Sequence, residues 1–204
     1  RFGRAGKSYL FDGNNWVEST NIVSAYNLVT FSAWFSPSGG AGHNSRSIVS
    51  KPRFSNGTGS KLNFSFSNRT VSGSTHNGTT SQGAGTATGI SFGNWHFAAF
   101  TNDGSIIRLF LDGNLVDSTS FSTNNLNSSQ NLLIGKELHS NANEEGQRNF
   151  QGSIDDVRIY DRALSAAEVA ALYNLENTPP NQAPSDVQLS NDTIAENQPI
   201  GTVV

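Results

Sequence analysis

Apolar and polar residues alternate with a period of two along much of this chain, as in a strand whose faces see core and solvent by turns. Leu28 to Phe35 shows it best: Val29, Phe31, Ala33 and Phe35 form a wholly apolar set, interleaved with Leu28, Thr30, Ser32 and Trp34. The first set is expected to face a core. Leu62-Asn63-Phe64-Ser65-Phe66 alternates as cleanly. Tyr9 to Val17 reads as strand, turn, strand about Asp12-Gly13-Asn14-Asn15, a strong turn signal. Gly93 to Thr101 is a further strand, turned by Asn102-Asp103-Gly104-Ser105 into Ile106 to Leu111, and Asp112-Gly113-Asn114 makes a tight hairpin into Leu115-Val116. Ser47 to Lys51 and Asn131 to Gly135 are short strands. Ser36 to Ser47 and Lys136 to Asn149 read as polar loops. Ser72 to Gly89, nearly all Ser, Thr, Gly, Asn and Ala, is either a weak polar strand or a mobile loop.

Gly152 to Tyr160 stands apart, because a β-branched strand pattern carries two adjacent acids. Strict alternation puts Ile154, Asp156, Arg158 and Tyr160 on one face and Asp155, Val157 and Ile159 on the other. Apolar groups on both faces predict a central strand covered on both sides. Two carboxylates at its start then need a partner, such as an arginine or a metal ion. After it, Ser165-Ala166-Ala167-Glu168 has capping-box spacing, and Val169, Leu172 and Tyr173 supply the stripe of a helix of roughly two turns. Asn174 to Pro184 is a linker stiffened by Pro179-Pro180 and Pro184, and Asp186 to Ser190 begins a new strand.

The expected fold is all-β: an antiparallel two-sheet β-sandwich of the jelly-roll kind with one short C-terminal helix. The expected boundaries are a sandwich over 1–175, a Pro-rich linker over 176–184, and the first strands of a second module over 185–204.

Composition narrows the classes. The 204 residues are 35 % hydrophobic and only 14 % charged, with a net charge of -3. That balance gives no reason to expect nucleic acid or a membrane surface as partner. With no cysteine, the chain has neither a disulfide framework nor a thiolate nucleophile.

The residues then resemble a known family. Phe2-Gly3-Arg4-Ala5, Leu10-Phe11-Asp12-Gly13 and Phe31-Ser32-Ala33-Trp34-Phe35 are similar to the opening of laminin-G-like, concanavalin A-like lectin/glucanase domains. Trp95-His96-Phe97-Ala98, Leu109-Phe110-Leu111-Asp112-Gly113, Ile134-Gly135, Phe150 to Tyr160 and Ala163-Leu164-Ser165 continue the series in order. The tail resembles the start of a bacterial cadherin-like repeat, through Ala183 to Ser190, Ile194-Ala195-Glu196-Asn197 and Gly201-Thr202-Val203-Val204. The resemblances imply a concanavalin A-like sandwich, an extracellular or cell-surface multidomain parent with neighbouring cadherin-like domains, and calcium. They do not imply one activity, since the fold hosts lectins, hydrolases and spacers.

Calcium takes several oxygen ligands. Asp12 and Asn14 on the first turn, completed by Asp155 or Asp156, form the expected set; the plainer reading has Asp12 capping its turn and Asp156 paired with Arg158 or Arg162. For a glycan, fixed polar and aromatic groups on loops are expected. His43, Arg46, Arg53, Arg69, His76 and His139 are the polar candidates, and arginines suit carboxylated or sulfated sugars. Trp16 is the expected exposed aromatic, while Trp34, Trp95 and Arg158 are assigned structural roles. A glucanase of this fold carries acids at alternate strand positions, close enough for a retaining mechanism. Glu144-Glu145 and Asp155-Asp156 are adjacent instead, so no catalytic residue is expected. The function read from the sequence is a non-catalytic carbohydrate-binding module for an extracellular polysaccharide, stabilised by calcium. A spacer without a glycan ligand is the rival, and a hydrolase comes third.

Overall fold

In the computed structural model, residues 8–20, 28–39, 45–52, 58–122, 130–138 and 149–177 are described. The expected cadherin-like start and most of the linker, with His43, Arg53 and His139, lie outside the described residues. The strands are β1 (Tyr9–Asp12), β2 (Val17–Ser19), β3 (Val29–Pro37), β4 (Ser45–Lys51), β5 (Thr58–Ser65) and β6 (Thr70–Asn77). They continue as β7 (Ser81–Ala87), β8 (His96–Asn102), β9 (Ile106–Leu111), β10 (Asn114–Ser120), β11 (Leu132–Ile134) and β12 (Gln151–Tyr160), before helix α1 (Ala166–Asn177). Sheet A has the order β1-β12-β3-β8-β9-β10 and sheet B the order β2-β11-β4-β5-β6-β7. Every pairing is antiparallel, so the chain is the expected two-sheet sandwich.

The core lies between the sheets. Val29, Phe31, Ala33 and Phe35 of β3 point into it, with Ala98 and Phe100 of β8 and Leu62 and Phe64 of β5 opposite. Phe35 meets Phe64 across the sandwich at 5.9 Å between ring centroids. The other face of sheet A is apolar too, where Trp34, Phe97, Phe110, Leu164 and Val169 form a second buried cluster. This is why α1 is needed: Tyr173 stacks on Trp34 at 5.6 Å and 20°, and Trp95 packs partly buried beside them. The capping box forms, with the Ser165 amide donating to Glu168 Oε2 at 2.8 Å and the Glu168 amide to Ser165 Oγ at 3.3 Å. The helix spans 12 residues rather than two turns and so takes up Asn174 to Asn177, which the sequence reading gave to the linker.

Two expectations about strands are corrected, and a third, left between strand and loop, is decided for strand. β12 lies inside sheet A, between β1 and β3, but its alternation is broken. The register jumps between Asp155 (opposite Trp34) and Arg158 (opposite Ser32), a β-bulge with Asp156 at φ 45. The extra residue shifts the pleat, so Ile154, Val157 and Ile159 all turn to the core and Tyr160 joins the second cluster. Ser36 to Ser47 is not one loop, because β3 runs to Pro37 and β4 starts at Ser45. Arg46 and Lys51 are thereby buried strand residues. Ser72 to Gly89 contributes to the paired strands β6 and β7. Its small residues suit that place: a Cβ on Gly73 would lie 2.1 Å from Phe100, and Ser60 and Thr75 pair their buried hydroxyls at 2.8 Å. Asp117 of β10 accepts the Gly85 amide of β7 at 2.6 Å, which ties the two sheets together along that edge.

Candidate functional site

The two outer faces differ in chemistry. Apolar residues on sheet A require α1 as cover, whereas the outer positions of sheet B are Ser, Asn, Lys and His. Ser50, Lys61, Ser74 and Gly83 stand opposite one another across β4, β5, β6 and β7. The segment after β11 folds over the β4 end of this row, where Ser50 Oγ donates to the Lys136 carbonyl at 2.7 Å. That places Glu137 against Lys61 in an ion pair at 2.6 Å. Between this segment and the β6–β7 hairpin runs a small groove of about 50 Å³, lined by Ser50, Lys61, Ser74, His76, Ser81 and Glu137 among others.

Its groups are held in place. Glu137 is only 7 % exposed, and His76 only 8 %. The Gly78 amide donates to His76 Nδ1 at 3.1 Å, which fixes the orientation of this imidazole. Lys51 backs the groove, and burial pushes its ammonium pKa down. A paired ammonium and carboxylate with several hydroxyls and an imidazole offer both donors and acceptors at fixed positions. That set suits a polyhydroxylated ligand.

The other predicted residues do not converge on the groove. Arg46 is 2 % exposed; its guanidinium lies 4.3 Å from the Phe66 centroid and donates to the Asn149 carbonyl at 3.3 Å. Its role as a loop ligand is corrected to a buried one by its place on β4, and burial lowers its pKa. Arg69 is exposed in the β5–β6 turn at φ 53, at the opposite end of β6 from His76. Trp16 is 42 % exposed with Lys136 Nζ 3.5 Å from its ring centroid. Arg158 sits opposite Ser32 on β3, beyond the bulge.

The expected metal ligands separate as well. Asp12 is opposite Gln151 and Tyr9 is opposite Ile154, which puts Asp155 at the far end of β1, about 13 Å away by strand rise. One ion cannot take both Asp12 and the Asp155–Asp156 pair. Asp12 Oδ1 instead accepts the amides of Asn14 and Asn15 at 2.8 and 3.2 Å, and Asp155 Oδ1 accepts the Asp156 amide at 2.8 Å. Among the described residues no three acid, imidazole or thiol side chains form a metal cage. Two residues that the sequence reading passed over lie beside the Asp12 turn. Asn149 Nδ2 donates to the Gly13 carbonyl at 2.8 Å and Gln151 Nε2 to the Asp12 carbonyl at 3.3 Å. Their amide oxygens are buried and accept no hydrogen bond among the described residues.

Glu137 and Phe92 were likewise missed. Glu137 lies in a stretch read as a polar loop, and its partner Lys61 is 76 residues away in sequence. His96 donates or accepts through Nδ1 with Asp112 at 3.0 Å, while Asp112 Oδ1 accepts the Phe97 amide at 2.8 Å. That pair holds the β8 entry to the β9–β10 turn.

Among curated proteins none matches the sequence. Solved structures share the fold at low identity. Domain 4 of AbnA, an extracellular arabinanase from Geobacillus stearothermophilus, in complex with arabinotriose, is 19 % identical over 85 % of this chain and 79 % of that one, with TM-score 0.64. The sialidase CBM40 of Ruminococcus gnavus bound to alpha2,3 sialyllactose is 12 % identical over 82 % and 97 %, with TM-score 0.61. A heptameric SAP-like pentraxin from Limulus polyphemus is 15 % identical over 80 % of each chain, with TM-score 0.63. The family model Laminin_G_3 matches residues 11–170, which is most of the chain. This chain therefore belongs to the concanavalin A-like lectin/glucanases superfamily.

Proposed function

We propose that this domain is a non-catalytic carbohydrate-binding module of a larger extracellular protein, and that calcium stabilises it. The observation that carries the reading is the groove on sheet B, where Lys61 and Glu137 pair at 2.6 Å among serine hydroxyls and His76. It supplies donors and acceptors for sugar hydroxyls, and Lys61 and Glu137 form an ion pair rather than the two carboxylates of a glycosidase. The arabinotriose and sialyllactose complexes of like-folded domains support the same ligand class, and the extracellular arabinanase supports the location.

For calcium, the support is the pair of buried amide oxygens, Asn149 Oδ1 and Gln151 Oε1, whose side chains hydrogen-bond the Gly13 and Asp12 carbonyls of the turn that carries the Asp12 carboxylate. These are hard oxygen donors of the type that calcium takes. Asp12, Asn149 and Gln151 would hold the ion; it would neutralise the carboxylate and fix the β1–β2 turn. Asp155 and Asp156 fall out of this set.

A glycan array of neutral, sulfated and uronic oligosaccharides, read with the wild type and with Lys61→Met and Glu137→Gln, tests the glycan reading. Binding that drops at least fivefold in both variants is expected, each variant still melting cooperatively although at a lower temperature, because the Glu137 side of the broken pair is buried. No binding by the wild type across the panel would overturn the reading and leave a spacer module. Binding untouched by both substitutions would move the site off this groove.

A further inference from the structure

At the other end of β6 from the groove, four side chains from separate parts of the chain make one continuous stack. Arg46 lies over Phe66 at 4.3 Å, Phe66 stacks on Phe92 at 5.9 Å and 30°, and Arg69 lies over Phe92 at 5.0 Å. The inner end is buried with Arg46, and the outer end reaches solvent, where Phe92 is 38 % exposed and Arg69 is exposed. We propose that Arg69 and Phe92 form a second binding site, selective for an anionic sugar bearing a carboxylate or sulfate.

Three observations carry this. First, Arg69 has no carboxylate partner among the described residues, whereas Arg108 pairs with Asp103 and Arg162 with Glu168. Neither segment of the stack, Phe66 to Thr70 or Thr88 to Trp95, contains an acid, so no neighbour in sequence offsets the positive charge. Second, the guanidinium is held by a ring and not by a hydrogen bond. The ring contact restrains the guanidinium at one place, and its N–H groups can fork onto two oxygens of one anionic group. Third, Arg69 occupies the left-handed region at φ 53, where only glycine and, to a lesser degree, asparagine or aspartate sit without strain. The backbone of this turn does not call for arginine. The Arg69 carbonyl accepts the Ile90 amide at 3.2 Å, which docks the segment bearing Phe92 against the turn. With its faces against Phe66 and Arg69, Phe92 keeps an exposed edge for the C–H groups of a sugar held by Arg69.

Arg69 and His76 are seven residues apart on one hairpin strand, about 23 Å at the usual strand rise. The site is therefore distinct from the sheet B groove and does not depend on it.

The test uses two matched probe pairs: polygalacturonate against its methyl ester, and dextran sulfate against dextran. Binding is measured by isothermal titration with wild type, Arg69→Asn and Phe92→Ala. Asparagine tolerates the left-handed backbone, so Arg69→Asn is expected to melt with the wild type. The expected result is at least tenfold preference for one or both anionic polymers over the neutral partner. That preference should be lost in Arg69→Asn, weakened in Phe92→Ala, and diminished by salt. The carboxylate and sulfate arms decide which anion is taken. Equal binding of charged and neutral polymers, no binding of either anionic polymer, or a preference that survives Arg69→Asn overturns the proposal. The first of these outcomes would leave the groove reading intact.

Discussion

Replacing Gly73 by alanine is expected to destabilise the domain, whereas the same change at Gly83 is not. The two glycines lie on adjacent strands, with Gly83 opposite Ser74, but they face opposite ways. A Cβ on Gly73 would lie 2.1 Å from Phe100 Cδ2 and 2.9 Å from two more atoms of that ring. Ordinary carbon contacts are about 3.5–4.0 Å, so the ring must retreat by more than about 1 Å. Phe100 is wholly buried and packs on Phe31 at 6.4 Å, which leaves it little room. Overpacking of this kind costs about 1–3 kcal/mol. The lower unfolded-state entropy of alanine returns about 0.4–1 kcal/mol. At about 2–4 °C per kcal/mol for a domain of this size, Gly73→Ala should melt several degrees lower. At Gly83 the nearest neighbour of a new Cβ is a carbonyl at 3.6 Å, an ordinary contact, so Gly83→Ala should melt level with the wild type or slightly above it. Thermal melts followed by circular dichroism read both. If Gly73→Ala melts with the wild type, or Gly83→Ala falls as far, then β6 does not present its odd residues to the core and the sheet B register is wrong.

Calcium at the Asp12 turn should be weak, because one carboxylate and neutral oxygens place it among sites of about 10⁻⁴–10⁻³ M. In 10 mM calcium, linkage then stabilises by about 1.4–2.7 kcal/mol relative to chelator, read as a rise in melting temperature that Asp12→Ala abolishes; a melt indifferent to calcium removes the site. Glu168 supplies the acid-range prediction. Its hydrogen bond with Arg162, then those from the Ser165 amide and hydroxyl, hold it at about 2, below the ordinary glutamate value of 4.5. A depressed folded pKa gives stability that is present above about 4.5 and lost as pH falls towards about 2. The wild type should therefore outlast Glu168→Gln slightly at pH 6 in low salt and lose that advantage by pH 2; an advantage that persists at pH 2 contradicts the assignment. Asp103 adds to the same trend. Desolvation raises its pKa, but the hydrogen bonds from Arg108, Ile106 and Ser105 outweigh it and lower the pKa.

The sandwich was legible wherever a strand keeps strict alternation. Val29, Phe31, Ala33 and Phe35 announce their inner face because nothing interrupts the pleat. β12 shows the limit. One additional residue at Asp156 reverses the parity of everything after it, and no local pattern marks a bulge formed by an aspartate at positive φ. The β6–β7 hairpin was obscured for a different reason. Its inner positions include Gly73 because Phe100 fills the space from the opposite sheet, so the apolar signal of one strand is carried by a residue of another. Arg46 misled because a guanidinium reads as a surface group, while its planar face can be buried against Phe66.

The site was less legible than the fold, and the reason is geometric. Lys61 and Glu137 acquire meaning only when the chain after β11 crosses the outer face of β4, a long-range event without a local signature. Yet the choice of face is written in the strands. β3, β8 and β9 carry large apolar residues at their outer positions, Trp34, Phe97 and Phe110, so that face has to be covered and α1 covers it. β5 and β6 carry Lys61, Asn63, Ser72 and Ser74 at theirs. A sandwich whose sheets differ in this way keeps polar groups on one outer face, where Lys61, Ser72 and Ser74 stay partly exposed and can meet a ligand. The Arg69–Phe92 stack lies at one end of the same β5–β6 hairpin and the Lys61–Glu137 pair towards the other. A polymer lying along that hairpin could engage both, and double substitution would then cost more affinity than either single change, by the multivalent gain from linked sites. Additive losses would instead mean that the two sites take separate ligands.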